Sequence, residues 1–301
     1  MKATLPEASR RRTWWQPTGN KGGNGARSHE RRSHAGDRYI LWLGFGMFAG
    51  SVAFSLSGMA LMRFAPAMAA QAGGLLPWLM KVPTWINLTT LPLVVFLVYR
   101  RNLGTRASLF FLVWGSFVGM MAELIGTGTG YPFGPYTYTA FLEPKIMRDV
   151  PYLIPLSWYA VSLISYDFAI RLNLSGFHRL VATALFMVLW DVALDPAMGA
   201  GFPIWEWGVD GFFYSMPALN WVGWFATSLV IAWGYEYLGG RQPRTFSKWP
   251  LWVWLVNGAL AVGTCAVAGL GGAVLAGSLA LAVPVLALWR RAGTMPKHRT
   301  A

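Results

Sequence analysis

Two aspartates stand four residues apart in Trp190-Asp191-Val-Ala-Leu-Asp195-Pro196, at the end of an apolar segment running from Leu180 to Leu194. Four residues is about one helical turn, so both carboxyls share a face, with Cβ atoms roughly 6 Å apart. Pro196 disfavours the α conformation at Asp195, and the helix is expected to stop there. Asp195 then meets the negative end of the helix dipole, apolar surroundings and a second acid one turn away, each of which opposes ionisation. Such a pair can hold a proton at neutral pH. In a soluble protein the aspartates would more often just bond a neighbouring helix, but inside a membrane segment an ionisable residue is a functional candidate.

Eight of the twelve acidic residues fall between Glu123 and Asp210. Glu123 lies near the end of another apolar segment, so acids from separate segments are expected to approach one membrane level. Asp167 and Glu236 fall at the opposite ends of their segments and read as structural. After Glu123 comes Gly126-Thr-Gly-Thr-Gly-Tyr-Pro-Phe133-Gly-Pro-Tyr136-Thr-Tyr138. Its glycines superficially suggest phosphate binding, but no strand precedes them and no Lys-Ser/Thr follows. An aromatic lid over the acids fits better. Trp205-Glu206-Trp207, Phe212-Phe-Tyr214 and Asn220-Trp221-Val-Gly-Trp224 have the same character. Tryptophans at a membrane interface are normally anchors, the reading adopted for Trp78, Trp249, Trp252 and Trp254. For Trp205, Trp207, Trp221 and Trp224, beside the acids, anchoring and catalysis are both open.

Acids able to stay protonated and aromatic faces suit protonation of an alkene. A trisubstituted isoprenoid double bond then gives a tertiary carbocation, which ring faces stabilise. A second acid, ionised, can position or deprotonate the incoming water. Metal and redox chemistry find little support. The single Cys265 sits in an apolar run, and His29, His34, His178 and His298 all fall outside the apolar segments, so di-iron boxes and bis-histidine haem are not expected. No metal or cofactor is anticipated, and an oxygen added to the substrate would come from water.

The composition is that of a membrane protein: 55% hydrophobic and 12% charged, with a mean hydropathy of +0.41. The formal charge of +13 does not indicate nucleic acid, because nine of the 25 Lys and Arg lie in the first 38 residues and most others in short loops. Residues 1–38 read as a disordered basic cytoplasmic arm without the pattern of a cleaved signal. Residues 39–290 read as a helical transmembrane domain and 291–301 as a basic cytoplasmic tail. Eight spans are expected, near 40–62, 84–100, 107–126, 153–171, 178–195, 218–238, 251–268 and 272–289. With both termini inside, 21 of the 25 basic residues fall on the cytoplasmic side. The fold class is thus an all-α, polytopic bundle. Gly46/Gly50, Gly115/Gly119 and the glycines of the last two spans are expected to serve close helix packing.

Glu123 with the Gly-Thr-Gly-Tyr-Pro-Phe-Gly-Pro-Tyr-Thr-Tyr stretch, Val150-Pro-Tyr-Leu-Ile-Pro-Leu-Ser-Trp158, the Asp191–Pro196 motif, Trp205-Glu-Trp207 and Pro217-Ala-Leu-Asn220-Trp-Val-Gly-Trp224 resemble, in order, the CruF-type carotenoid biosynthesis family. The resemblance implies an integral membrane protein of a bacterial inner membrane. It also implies a carotenoid 1',2'-hydratase acting on acyclic, lycopene-like or γ-carotene ψ ends, with the carotenoid in the bilayer as partner and contacts with other carotenoid enzymes conceivable. On that reading Asp195 is the first choice as acid, Asp191 its partner and Glu123 the next candidate in either role. Phe133, Tyr136, Tyr138, Trp205, Trp207, Asn220, Trp221 and Trp224 would bind substrate, orient water or shield the cation. Other readings are an end-group cyclase or isomerase, which starts with the same protonation, and a small transporter or lipid-binding protein. A reporter fused to the C-terminus is expected to locate to the cytoplasm; an external location would overturn the topology.

Overall fold

The computed structural model describes residues 23–294 except Arg241, Arg244 and Phe246. Helices dominate: α1 (Gly23–Phe64), the short α2 (Pro66–Ala70), α3 (Leu76–Leu103), α4 (Thr105–Thr129), α5 (Ile154–Arg171), α6 (Gly176–Asp195), α7 (Ala218–Tyr237), α8 (Trp249–Ala268) and α9 (Gly271–Thr294). Each of the eight expected segments is helical. Helix α1 already begins at Gly23, within the stretch expected to be a disordered arm, whereas residues 1–22 and 295–301 lie outside the described residues.

Among the described residues, six helical stretches are long and apolar enough to cross a membrane: Arg38–Phe64, Gly73–Leu103, Thr105–Thr129, Gly176–Gly201, Trp249–Ala268 and Gly271–Ala292. Helices α5 and α7 are not among them. Helix α5 explains why, since fifteen of its 18 residues are buried, against α3, α4 and α6 above all. A helix covered on every side by protein needs no lipid-compatible surface, and it can carry Ser162, Ser165, Tyr166 and Asp167. Helix α3 starts earlier than expected because Pro83 and Pro92 do not interrupt it. A membrane bundle tolerates prolines within its helices; Pro83 and Pro92 leave the Leu79 and Leu88 carbonyls without their helical N–H, while Thr84 and Thr90 add bonds to the neighbouring carbonyls of Met80 (3.1 Å) and Ile86 (2.6 Å).

Short strands, unexpected from the sequence, organise the loops. In β1 (Tyr136–Tyr138) and β4 (Trp205–Trp207) the chain pairs antiparallel, with Tyr136 opposite Trp207, Thr137 opposite Glu206 and Tyr138 opposite Trp205. A smaller pair joins β2 (Lys145–Ile146) to β3 (Val150–Pro151). After Asp195 the coil does not stop. It continues as a π-helical turn over Pro196–Gly201, with Asp195 itself in the α conformation (φ −61°, ψ −52°). A π turn shifts the bonding pattern by one residue and is common at functional sites.

At the end of the bundle remote from these strands, Asp167 is held by Arg171 at 2.7 Å and by the Tyr99 hydroxyl at 2.9 Å. Glu236 is held by Arg179 at 2.7 Å and also by Tyr166. Glycines divide into two groups. A Cβ at Gly115 would lie 3.1 Å from the Tyr159 Cα, and one at Gly119 within 2.6 Å of the Trp158 Cβ, so both let α4 and α5 approach. Gly46 and Gly50, expected to pack in the same way, face nothing within 4 Å. Gly119→Ala is therefore expected to destabilise the protein by about 1–3 kcal/mol through overpacking, whereas Gly46→Ala should stay within about 0.5 kcal/mol of the parent. Thermal unfolding of the two purified variants checks this.

Candidate active site

Helix α4 ends in a left-handed Gly130 (φ 78°) that reverses the chain. The following loop can press onto α4 because Gly126 has no side chain; a Cβ there would meet the Phe133 ring at 2.8 Å and the Tyr136 hydroxyl at 3.0 Å. Gly223 does the same for α7 against Phe133 and Pro132. This fold-back brings the alternating residues of β1 and β4 onto one face. Tyr136, Tyr138, Trp205 and Trp207 point inward, while Thr137 and Glu206 are exposed.

Behind that aromatic face lie three buried carboxyls. Glu123 accepts from Tyr138 at 2.9 Å, from Tyr136 and from the indole of Trp158 at 2.8 Å. Burial, with Glu123 alongside as the next cause, pushes the Tyr136 and Tyr138 hydroxyls well above the ordinary tyrosine range. Both therefore keep their protons and remain donors. Asp195 accepts from the Trp205 indole at 3.0 Å and from the Asn220 amide nitrogen. The same nitrogen donates to Asp191 at 2.8 Å. One side chain of α7 thus ties both aspartates of α6 together, and the second oxygen of Asp191 is buried without a partner.

A pocket of about 450 Å³ opens in front of Glu123 and Asp195, walled by Phe133, Tyr136, Tyr138, Trp205, Trp207, Asn220 and Trp224. Nine of the eleven residues singled out from the sequence meet there. Asp191 sits one layer behind, reached through Asn220. Trp221 is the exception: its ring packs on Phe212 and Phe213, one helical step from the wall that Asn220 and Trp224 form. Glu206 and Asp210 are exposed and lie outside the pocket. Trp158 was missed as a site residue. It is a donor to Glu123 and stacks on Trp224 at 4.2 Å, a contact worth about 0.5–1.5 kcal/mol beyond area burial. The only sequence signal for it was its place at the end of the Val150–Trp158 motif.

A second, larger cavity of about 990 Å³ shares the walls Ile154, Ser157, Trp158, Leu194, Trp205 and Trp224 with the first. It runs between α3, α5, α6 and α8 and is lined chiefly by Leu, Met, Ile, Val, Phe and Trp. A mostly apolar chamber that shares walls with an acid-lined pocket, within a bundle whose helices are long and apolar enough to cross a bilayer, marks an integral membrane protein.

The chain belongs to the CruF-type carotenoid biosynthesis family: the profile of the family described as "Carotenoid biosynthesis protein" matches residues 83–284. It is also 33% identical over 129 residues to the bisanhydrobacterioruberin hydratase of Haloarcula japonica, covering 40% of this chain and 43% of that protein. The match thus spans less than half the length of that relative. No solved structure matches the chain.

Removing Asn220 is expected to leave two buried carboxyls without their common donor. Asn220→Ala should cost about 1–3 kcal/mol of stability. Trp221→Phe, outside the pocket, should cost markedly less. Parallel denaturation of the two variants compares them, and the reverse ranking would contradict the arrangement described.

Proposed function

We propose that the protein is a carotenoid 1',2'-hydratase, a hydro-lyase that adds water across the terminal C1'–C2' double bond of an acyclic, lycopene-like or γ-carotene ψ end. The single observation that carries this reading is the wall shared by the hydrocarbon cavity and the acid-lined pocket. A polyene lying in the cavity would present its end to Asp195 and Glu123. The relative's name, a hydratase, supports the same chemistry.

In the proposed reaction Asp191 and Asp195 carry one proton between them, as two carboxyls joined through one donor are suited to do. Asp195, the member facing the pocket, gives that proton to C2', and the electron pair of the double bond forms the new C–H bond. The resulting tertiary cation at C1' lies among Trp205, Trp207, Trp224, Phe133 and Tyr136. A desolvated cation over an aromatic face gains about 2 kcal/mol from each well-placed ring. A water molecule attacks C1', and Glu123 takes its extra proton. Three O–H and N–H donors around Glu123 stabilise its carboxylate, the form that can take a proton. Return of that proton to the aspartate pair closes the cycle. Over the full cycle water supplies both the hydrogen at C2' and the hydroxyl at C1', and no electron changes hands. The addition therefore needs neither an oxidant nor a redox cofactor.

In this reading α5 and α7 are the fourth and sixth of eight spans, with both termini cytoplasmic. The low hydropathy of α5 follows from its place inside the bundle, that of α7 from Asn220 and its Trp and Tyr residues, and the acids sit toward the outer leaflet of a bacterial inner membrane.

Asp195→Asn and Asp191→Asn are each expected to lower product formation by about a hundredfold or more while the protein still folds, in line with the usual size of general acid catalysis. The check is expression in a lycopene-producing bacterium with pigment analysis in isotopically labelled water. The product should gain one water and carry the label. A product of unchanged mass would favour a cyclase or isomerase, and oxygen drawn from dioxygen would refute hydration.

A further inference from the structure

Helix α3 is a partition with two working faces. Met80, Thr84, Asn87, Leu88 and Leu91 look into the hydrocarbon cavity. Trp78, Val82 and Ile86, with Leu75 just before the helix, look the other way, into a separate apolar groove of about 960 Å³ bounded by Met47, Gly50, Ser51 and Phe54 of α1. Leu79 alone belongs to both walls. On α1 the change of side is equally abrupt, with Phe54 lining the groove and Ser55 and Met59 the cavity.

Three features make this boundary passable. Gly50 leaves its side of the groove open, since a Cβ there would meet nothing within 4 Å. Leu79 is 39% exposed and so is not locked by packing. Pro83, four residues on, has no N–H to give the Leu79 carbonyl, and its ring crowds that carbonyl. Helix α3 is thus softest where the two spaces meet. Along α3 the cavity residues run from Leu79 to Leu91, a rise of only about 18 Å. A rigid conjugated polyene of forty carbons is longer than that and cannot coil, so its distal part must leave the cavity.

We propose that the α1–α3 groove is the lateral doorway by which the polyene enters from the bilayer, and that it holds the distal part of the chain while the reacting end lies at the acids, with Leu79 as the gate. This rests on the hydratase reading for the identity of the occupant. The groove recognises a long, linear, wholly apolar chain and makes no polar demand at its far end. Substrates differing only beyond the groove would then be accepted alike.

The test places bulk in the doorway and, as a control, equal bulk on an exposed position of α1 outside it. Gly50→Phe and Leu79→Trp are compared with Gly46→Phe and the parent protein, each first shown to fold by thermal unfolding. Two quantities are read in lycopene-producing cells: hydrated pigment formed per protein, and pigment co-purifying with the protein. Both should fall about tenfold or more in Gly50→Phe and Leu79→Trp and stay within about twofold of the parent in Gly46→Phe. Unchanged pigment in the doorway variants, or an equal fall in all three, would overturn the proposal. A parent protein that retains pigment yet forms no hydrated product would refute the hydratase reading instead, and the doorway would still be judged by pigment retention.

Discussion

A carboxyl group placed within hydrocarbon has to be given its partners by the protein, because no water is there to supply them. That constraint orders this molecule. Glu123 is met by Tyr136, Tyr138 and Trp158, and Asp191 and Asp195 share Asn220. Those donors come from β1, α5 and α7, so α4 and α6 cannot hold their acids unless the other elements are docked. The β1–β4 pair is part of the same requirement, since it turns two tyrosines and two tryptophans toward the acids and leaves Thr137 and Glu206 outside.

The helices were legible because lipid imposes a long apolar run on any segment it touches, and the basic loops mark the breaks between runs. Legibility failed where that pressure is absent. Helix α5, expected over 153–171, is nonetheless a helix over Ile154–Arg171; it is covered by protein, and its serines and Asp167 depress its hydropathy without making it less a part of the bundle. The second span was expected only from 84, but α3 begins at Leu76 and runs through Pro83, a loss of one backbone bond that a bundle tolerates. The π turn after Asp195 has the same origin: the preference of a residue before proline is a bias of a few kcal/mol at most, and tertiary packing overrode it. Gly46 and Gly50 share their spacing with Gly115 and Gly119, yet only the latter meet a neighbouring helix. Spacing alone does not report which face is covered.

Within the site, residue type was the better guide. Asp195, Glu123, Asn220 and most of the aromatics converge because polar groups in an apolar segment can be accommodated only in one another's company. Trp221 lies off the pocket although it sits beside Asn220 in sequence, because adjacent residues on a helix point about 100° apart. Trp158 was overlooked for the converse reason. Its contribution depends on a contact with Glu123 across 35 residues, and no local pattern encodes such a pairing.

The fate of a carbocation is decided by whatever nucleophile or base stands nearest. An ordered water gives an alcohol, a second double bond folded back gives a ring, and a base alone gives an isomer. Around the pocket the hydroxyls of Tyr136 and Tyr138 stand beside the Glu123 carboxyl, while the walls shared with the larger cavity are Ile154, Leu194, Trp158, Trp205, Trp224 and Ser157, whose hydroxyl is turned to the Ile154 carbonyl. A water held among the tyrosine hydroxyls and the carboxyls has several hydrogen-bond partners close together, whereas the larger cavity offers only scattered ones, from Ser55, Thr84, Asn87, Asn257 and Thr264, among mostly apolar walls. An extended polyene held along α3 keeps its inner double bonds away from its end. On the proposed hydratase reading, separation of a polar end from a mostly apolar channel would favour capture by water over ring closure, through the arrangement of partners rather than through the strength of any one acid.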